Sequence, residues 1–256
     1  MKIVVAIKQV PARDSQLKIA AGGRWIEEDD LTHEINEPDA YALEAGLQLK
    51  EKHGGEVVAL CLGPDRAAQT IREALAKGAD RAIHIEAEDL GSFDPLGAAR
   101  LMAAALKNEA ADLILTGLQS DDLGFGQTGP ILAELLGLPH ATLIMEVDVQ
   151  GAGIRVKREL EDGWFQHVEM PLPALLSIQS GISKLRYATL MGIKKAKSKE
   201  IRRITPEELG GAGEASIATT RIYLPERAKQ TQIFDGDPKE AAAKLVEKLK
   251  FEARVI

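Results

Sequence analysis

The feature that most constrains this chain is the alternation, over its first 140 residues, of short aliphatic runs with longer stretches of helical pattern. Buried strands are expected at Lys2–Ile7, 56–62, 82–86 and 112–116, with helices over 38–52, 64–77 and 95–107 between them. Each helix opens near a proline, Asp94 stands as the N-cap before Pro95, and a glycine follows Lys77; these are start and stop signals with a physical basis. Strands read as continuous Val/Ile/Leu/Ala runs when a parallel sheet is covered on both faces. Aromatic residues make up only 4% of the chain, so the core has to be aliphatic. The alternation therefore predicts an α/β fold: an open, mostly parallel sheet with right-handed crossovers and helices on both faces.

Two stretches depart from that alternation. Between residues 10 and 36, the runs 17–20 and 24–27 flank Ala21-Gly22-Gly23, which reads as a hairpin interrupting the first crossover. After residue 140, four successive runs at 142–149, 154–160, 165–170 and Ala174–Ile178 read as a meander, adding antiparallel strands to the sheet or extending one edge. A basic stretch follows at 184–203, with eight Lys or Arg against one Glu. Gly210–Gly213 then reads as a break before a polar arm and an amphipathic helix near 238–250. The division expected is an α/β domain over 1–200 and a C-terminal arm over 201–256 that wraps a partner or the domain itself.

The net charge of −7 argues against nucleic acid and anionic membranes as partners. No apolar run approaches the ~18 residues that span a bilayer, and the N-terminal run is too short and too soon charged for a signal peptide. The single Cys61 lies in an apolar run and reads as a buried structural thiol. A cytoplasmic location is expected.

The segment richest in chemistry is Gly117-Leu-Gln-Ser-Asp-Asp-Leu-Gly-Phe-Gly-Gln-Thr-Gly-Pro130, between a buried strand and a helix running to about Leu136. Ligands of open α/β sheets bind beyond the carboxyl ends of the strands. There, glycines let backbone approach closely and a helix N-terminus favours an anion. Gly124, Gly126, Gln127, Thr128 and Gly129 can cradle a phosphate, or the glycines make a tight turn and nothing more. Asn36-Glu37-Pro38-Asp39 and Leu62-Gly63-Pro64 leave the same sheet edge, although Asn36 also reads as a plain N-cap. Neither a phosphate-loop nor an ordinary dinucleotide fingerprint is present. The histidines at 33, 53, 84, 140 and 167 have no metal-ligand spacing, Asp121 and Asp122 read as solvated, and no nucleophile–base pair stands out. No catalytic residue and no metal site are expected.

Val156-Lys-Arg-Glu-Leu160, Leu172-Pro173, Arg186-Tyr-Ala-Thr-Leu190 and Ile193-Lys-Lys-Ala-Lys197 resemble the electron-transfer flavoprotein beta family. So do the opening Val-Ala-Ile-Lys-Gln-Val, the Asn-x-Pro-Asp of 36–39, Ala74-Leu-Ala-Lys-Gly-Ala-Asp-Arg81 and the 119–129 loop, all in the family's order. The resemblance implies an adenine-nucleotide-hydrolase-like fold and an electron carrier, not an enzyme, in a heterodimer with an alpha subunit that holds most of the FAD. It implies a structural AMP in this chain, contacted at Ala6, Asn36, Glu37, Pro38, Asp39, Leu62, Gly117, Gln119, Asp121, Asp122, Gly124, Gly126, Gln127 and Thr128. It further implies that 1–200 is a nucleotide-binding domain, that the 201–256 arm wraps the alpha subunit, and that a recognition loop at about 184–197 is made of Arg186, Tyr187, Leu190, Ile193, Lys194 and Lys195. In that segment Leu190 anchors flavin dehydrogenases such as acyl-CoA dehydrogenases, with a membrane quinone oxidoreductase or other acceptor receiving the electrons. Glu159 matches a residue that holds the mobile flavin domain. Two departures stand out: Met191-Gly192 follows the anchor where a Pro-Asn is common, and the loop reads Asp121-Asp-Leu-Gly-Phe-Gly-Gln127. Bifurcating, NADH-dependent members carry a second FAD in place of AMP and tend to read Asp-Gly-Asp-Thr-Ala-Gln here. That favours AMP. A stand-alone adenine-nucleotide-binding module is the remaining alternative, against which the C-terminal arm speaks.

Overall fold

The computed structural model describes residues 1–88, 93–225 and 231–256. They form two compact units, Met1–Thr220 and Arg221–Ile256.

In the first unit, β1 (Lys2–Ile7), β4 (Glu56–Gly63), β5 (Arg81–Glu86) and β6 (Leu113–Gly117) are the aliphatic runs expected, each buried almost throughout. The helices between them are α1 (Glu37–His53), α2 (Ala68–Lys77) and α3 (Pro95–Leu106). Asp94 caps α3 by accepting from Gly97 N at 2.7 Å. Its other oxygen accepts from Ser216 N at 2.7 Å, which ties the chain beyond Gly213 back to the same helix. The second helix starts later than Pro64 suggests, because Asp65–Ala67 first make a 3-10 turn.

The chain continues through α4 (Thr128–Leu136), β7 (His140–Gln150), β8 (Gly153–Glu159), β9 (Phe165–Pro171), β10 (Ala174–Ile178), α5 (Leu190–Ala196) and β11 (Ile201–Ile204). Nine strands form one sheet in the order β11-β5-β4-β1-β6-β10-β7-β8-β9. Only the β7–β8 and β8–β9 pairs are antiparallel, so β8 alone runs against the other strands of this sheet. The meander reading is thus corrected for its last strand. β10 is parallel to both β6 and β7 and lies between them. All five of its residues are buried, which an edge position would not give. The early hairpin shrinks to a single antiparallel bridge, Ile19 to Ile26; β2 (Gln9–Pro11) instead pairs with β3 (His33–Ile35). The strand β11 joins β5 in parallel, so residues 201–204 belong to the sheet and the arm separates only after Thr220.

One face of the sheet packs Ile3, Val5, Ile7, Val57, Ala59 and Cys61 with α1 and α2. The other packs Val4, Val58, Leu60, Ile83 and Ile114 with α3 and α4. The crossover leaving β1 goes to β4 on one side, while β6 lies on its other side. The order of strand addition therefore reverses between β1 and β6, which run parallel, and the crevice of such a fold opens at the carboxyl ends of those two strands.

The second unit holds α6 (Pro238–Lys248), capped by Asp237, which accepts from Lys239 N at 2.8 Å and Glu240 N at 3.2 Å. None of its described residues is buried, and Tyr223, Leu224, Ile233 and Phe251 are exposed. Among the described residues no helix is long and apolar enough to cross a membrane.

Candidate functional site

The N-terminus of α1 and the loop 118–127 meet over the reversal point. Asn36 precedes α1, but its side chain makes no capping hydrogen bond. It reaches across instead: Nδ2 donates to Gln119 O at 2.9 Å, and Oδ1 accepts from Asp121 N at 2.8 Å. The plain capping role is thereby replaced by a two-point clasp on the loop. Glu37 N donates to Asp121 Oδ2 at 3.4 Å, and Arg13 pairs with the carboxylates of Glu37 and Asp121. Lys8, just past β1, holds Asp122 with Nζ 2.7 Å from Oδ1 and 2.6 Å from Oδ2. Asp122 is thus a partly buried, paired acid, while Asp121 stays exposed even though Asn36 and Arg13 hold it. Lys8 and Arg13 were the residues that sequence reasoning missed. A lone charge ending an aliphatic run looks like nothing more than the edge of the core.

Beneath this clasp Asp39 is nearly buried, with 8% of its surface exposed. Its oxygens accept from Lys8 N at 2.8 Å and Gly117 N at 2.9 Å. Burial pushes its carboxyl up to about 7, against the opposing pull of those two N–H groups, Asn36 and the Lys8 charge. Gly117 has no room for a side chain, since a Cβ there would overlap Asp39 Oδ1 and lie 2.7 Å from Asp39 N. Ala6 and Leu62 are buried apolar residues near the carboxyl ends of β1 and β4. Pro38 is buried in the first turn of α1.

On the far wall, Gly124 (φ 64°) and Gly126 (φ 65°) take left-handed conformations that let the loop fold back. Gly124 N donates to Ser120 O at 2.9 Å, closing that turn. Gln127 precedes α4 without any side chain capping the helix, so the first-turn N–H groups of Thr128 and Gly129 are uncapped. A Cβ at Gly129 would come within 2.6 Å of Ser177 Oγ and 2.7 Å of Thr116 Oγ1, so glycine seats the helix end against the sheet. Two loops, a glycine-lined wall and an uncapped helix N-terminus thus converge on one crevice. A helix N-terminus with free N–H groups favours an anion.

The second candidate region is α5 and the residues before it. The sequence left this as a basic stretch holding a recognition loop, whereas the structure has a short helix. Thr189 caps it, accepting from Gly192 N at 3.0 Å. Tyr187 and Leu190 are 91% and 88% exposed, with Met191 and Ile193 beside them. Lys194 and Lys195 lie in its last turn. Arg186 faces the other way: it pairs with Glu44 at 2.8 Å and Glu51 at 2.6 Å, both on α1. Burial alone raises Glu44, but the Arg186 and Gln48 hydrogen bonds outweigh it and hold the carboxyl below its usual range. Arg72 on α2 donates to Ala196 O at 2.6 Å and Lys199 O at 2.9 Å. Lys199 Nζ donates to Leu75 O at 2.9 Å and to Ala79 O. Gly192 presses on α2, where a Cβ would overlap Ala76 O. That contact explains the glycine after Met191 in physical terms. Glu159, at the end of β8, is held by Gln179 Nε2 at 2.9 Å; among the described residues no ion pair reaches it.

Comparison with known proteins fits this arrangement. Residues 24–209 match the electron transfer flavoprotein domain family. The chain is 36% identical to the electron transfer flavoprotein subunit beta of Methylophilus methylotrophus, over 96% of this chain and 97% of that protein. The chain belongs to the electron transfer flavoprotein beta family. It is also similar to the beta subunits of Bacillus subtilis strain 168 (34% identical, 100% of both chains) and of Homo sapiens (34% identical, 100% of this chain and 99% of that protein). The matched residues include α1, the 118–127 loop and α5 but not β1, and an electron transfer flavoprotein beta subunit has its role in electron transport.

Proposed function

We propose that this chain is a non-catalytic electron-carrier subunit that holds AMP in the crevice between β1 and β6. It pairs with an electron transfer flavoprotein alpha subunit that carries the FAD, and it docks flavin dehydrogenases through α5. Electrons then pass to a quinone oxidoreductase or a comparable acceptor. The observation that carries this reading is the crevice itself. Its helix end at Thr128 offers uncapped N–H groups to a phosphate, its floor at Ala6 and Leu62 is apolar, and its acids Asp121 and Asp122 are neutralised by Arg13 and Lys8. Phosphate binding at a helix N-terminus follows from the dipole and the free donors. A ligand bound only to the native state also stabilises it by mass action.

On the docking side, an exposed leucine set among lysines combines an apolar anchor with charge that speeds encounter with acidic partners. Clamping by Arg72, Arg186 and Lys199 keeps α5 ordered before docking, which lowers the entropic cost of association. Glu159 offers a carboxylate for an ion pair with the mobile flavin domain. The arm from Arg221 to Ile256 embraces the alpha subunit, with exposed Tyr223, Leu224 and Phe251 supplying the apolar contacts.

The test is to denature the purified native complex and quantify the nucleotides released. One FAD and one AMP per heterodimer supports the carrier. Two FAD without AMP contradicts it in favour of the two-flavin, bifurcating type.

A further inference from the structure

Hydrogen-bonded pairing between β1 and β6 runs through Ile3, Val4 and Val5 and stops at Leu115. Beyond that point the two strands part, and Asp39 bridges the gap by accepting from Lys8 N on one side and Gly117 N on the other. We propose that Asp39 is the positioning residue of this crevice, and that its charge couples occupancy by an anionic nucleotide to uptake of a proton. The inference rests on the nucleotide reading of the site.

The surroundings of Asp39 leave its charge without a dedicated counter-ion. From β1, Lys8 directs its ammonium to Asp122. From β4, Cys61 brings a thiol pushed up to about 12 by burial and by Asp39 itself, so it stays neutral. From the loop come Asp121 and Asp122, and from α1 Glu37, which Arg13 holds. The strand β10 and the first turn of α4 bring no ionisable side chain. What stabilises the carboxylate is mainly the backbone pair of N–H groups, and burial wins over them and pushes the carboxyl up to about 7.

A phosphate monoester carries about −1.5 to −2 charge at neutral pH. Placed at α4, it adds charge of the same sign to the same low-dielectric crevice and favours the neutral form of Asp39. Neutral Asp39 keeps acceptor capacity towards both N–H groups and gains an O–H that a ribose or base can accept. By linkage, a nucleotide that favours the protonated acid binds more tightly when the acid is protonated.

The experiment is calorimetric titration of AMP into the full chain, co-purified with its partner subunit and freed of nucleotide. It runs from pH 6 to 8.5 in buffers of different ionisation enthalpy, so that protons taken up are counted. The phosphate has its own proton near pH 6, and Asp39→Asn supplies that baseline. Wild type is expected to take up protons between pH 7 and 8 and to lose affinity above pH 7 by up to about tenfold per pH unit. Asp39→Asn should abolish this excess. Lys8→Met, which removes the nearby cation and leaves Asp39 in place, should move the uptake to higher pH and tests the idea even if Asp39→Asn does not fold. Equal proton counts in wild type and Asp39→Asn, or an unmoved profile in Lys8→Met, overturn the proposal while AMP still binds. Absence of AMP binding by wild type at every pH overturns the nucleotide reading and this proposal with it.

Discussion

The crevice and the α5 segment are both anchored on α1, yet they use charge in opposite ways. At the crevice, α1 contributes a buried acid to backbone donors, and the ion pairs of Lys8 and Arg13 hold a loop closed. At α5, the cations of Arg186, Arg72 and Lys199 hold the segment from behind, and its apolar side chains face solvent. One region is built to enclose a small molecule, the other to present a surface. The difference teaches that exposure at α5 is not looseness: a helix of seven residues is too short to persist alone, and its order comes from the clamp.

The comparison breaks most severely at Gly117. Gly117→Ala drives a methyl into Asp39 and the backbone of Pro38 and should cost ~3 kcal/mol, read as a lowered denaturation midpoint, with loss of bound nucleotide. Next in size, Arg186→Ala leaves Glu44 buried without its partner. Because the Arg186 side chain keeps 28% of its exposure, the loss should be about 2 kcal/mol, below the ~3–5 of a fully buried pair. Hydrogen exchange should then quicken over α5 and not over the crevice.

Acid loosens the same clamp. Glu44 sits below its usual range, so its contribution is present above the unfolded carboxylate range and is lost as pH falls through the lowered folded value. Stability measured from pH 5 downward should fall in wild type, and less steeply in Glu44→Gln.

Leu190→Ala should leave the fold untouched, since the side chain is exposed. It should weaken dehydrogenase docking by roughly 2 kcal/mol, about 30-fold in the KM for the carrier. An unchanged KM would remove α5 from the docking role. The smallest effect is at Cys61, whose buried, raised thiol should resist a thiol reagent until the chain unfolds.

Much of the scaffold was legible because a doubly covered parallel strand has to be an unbroken aliphatic run, as β1, β4 and β6 are. The placement of β10 was not, since insertion between β6 and β7 depends on contacts far apart in the chain and leaves no local mark. The early hairpin was over-read from Gly22-Gly23, because glycine turns form without strands around them. At the crevice, glycines 124 and 126 were visible as turn formers, and the Asn-x-Pro-Asp run was visible as a helix start. The partnerships of Asn36 with the 119–121 backbone, of Lys8 with Asp122 and of Asp39 with two strand ends were not. Each spans many residues, and a polar side chain beside a helix start has an ordinary capping explanation. Gly192 read as a departure at the anchor, and only its contact with α2 gives it a reason.

The most direct test is a crystal structure of the native complex carrying whatever nucleotide it retains. The account predicts one AMP in the β1–β6 crevice, its phosphate on the N–H groups of Thr128 and Gly129 and its nucleoside over Ala6 and Leu62. An empty crevice, or a nucleotide bound elsewhere on this chain, would contradict it.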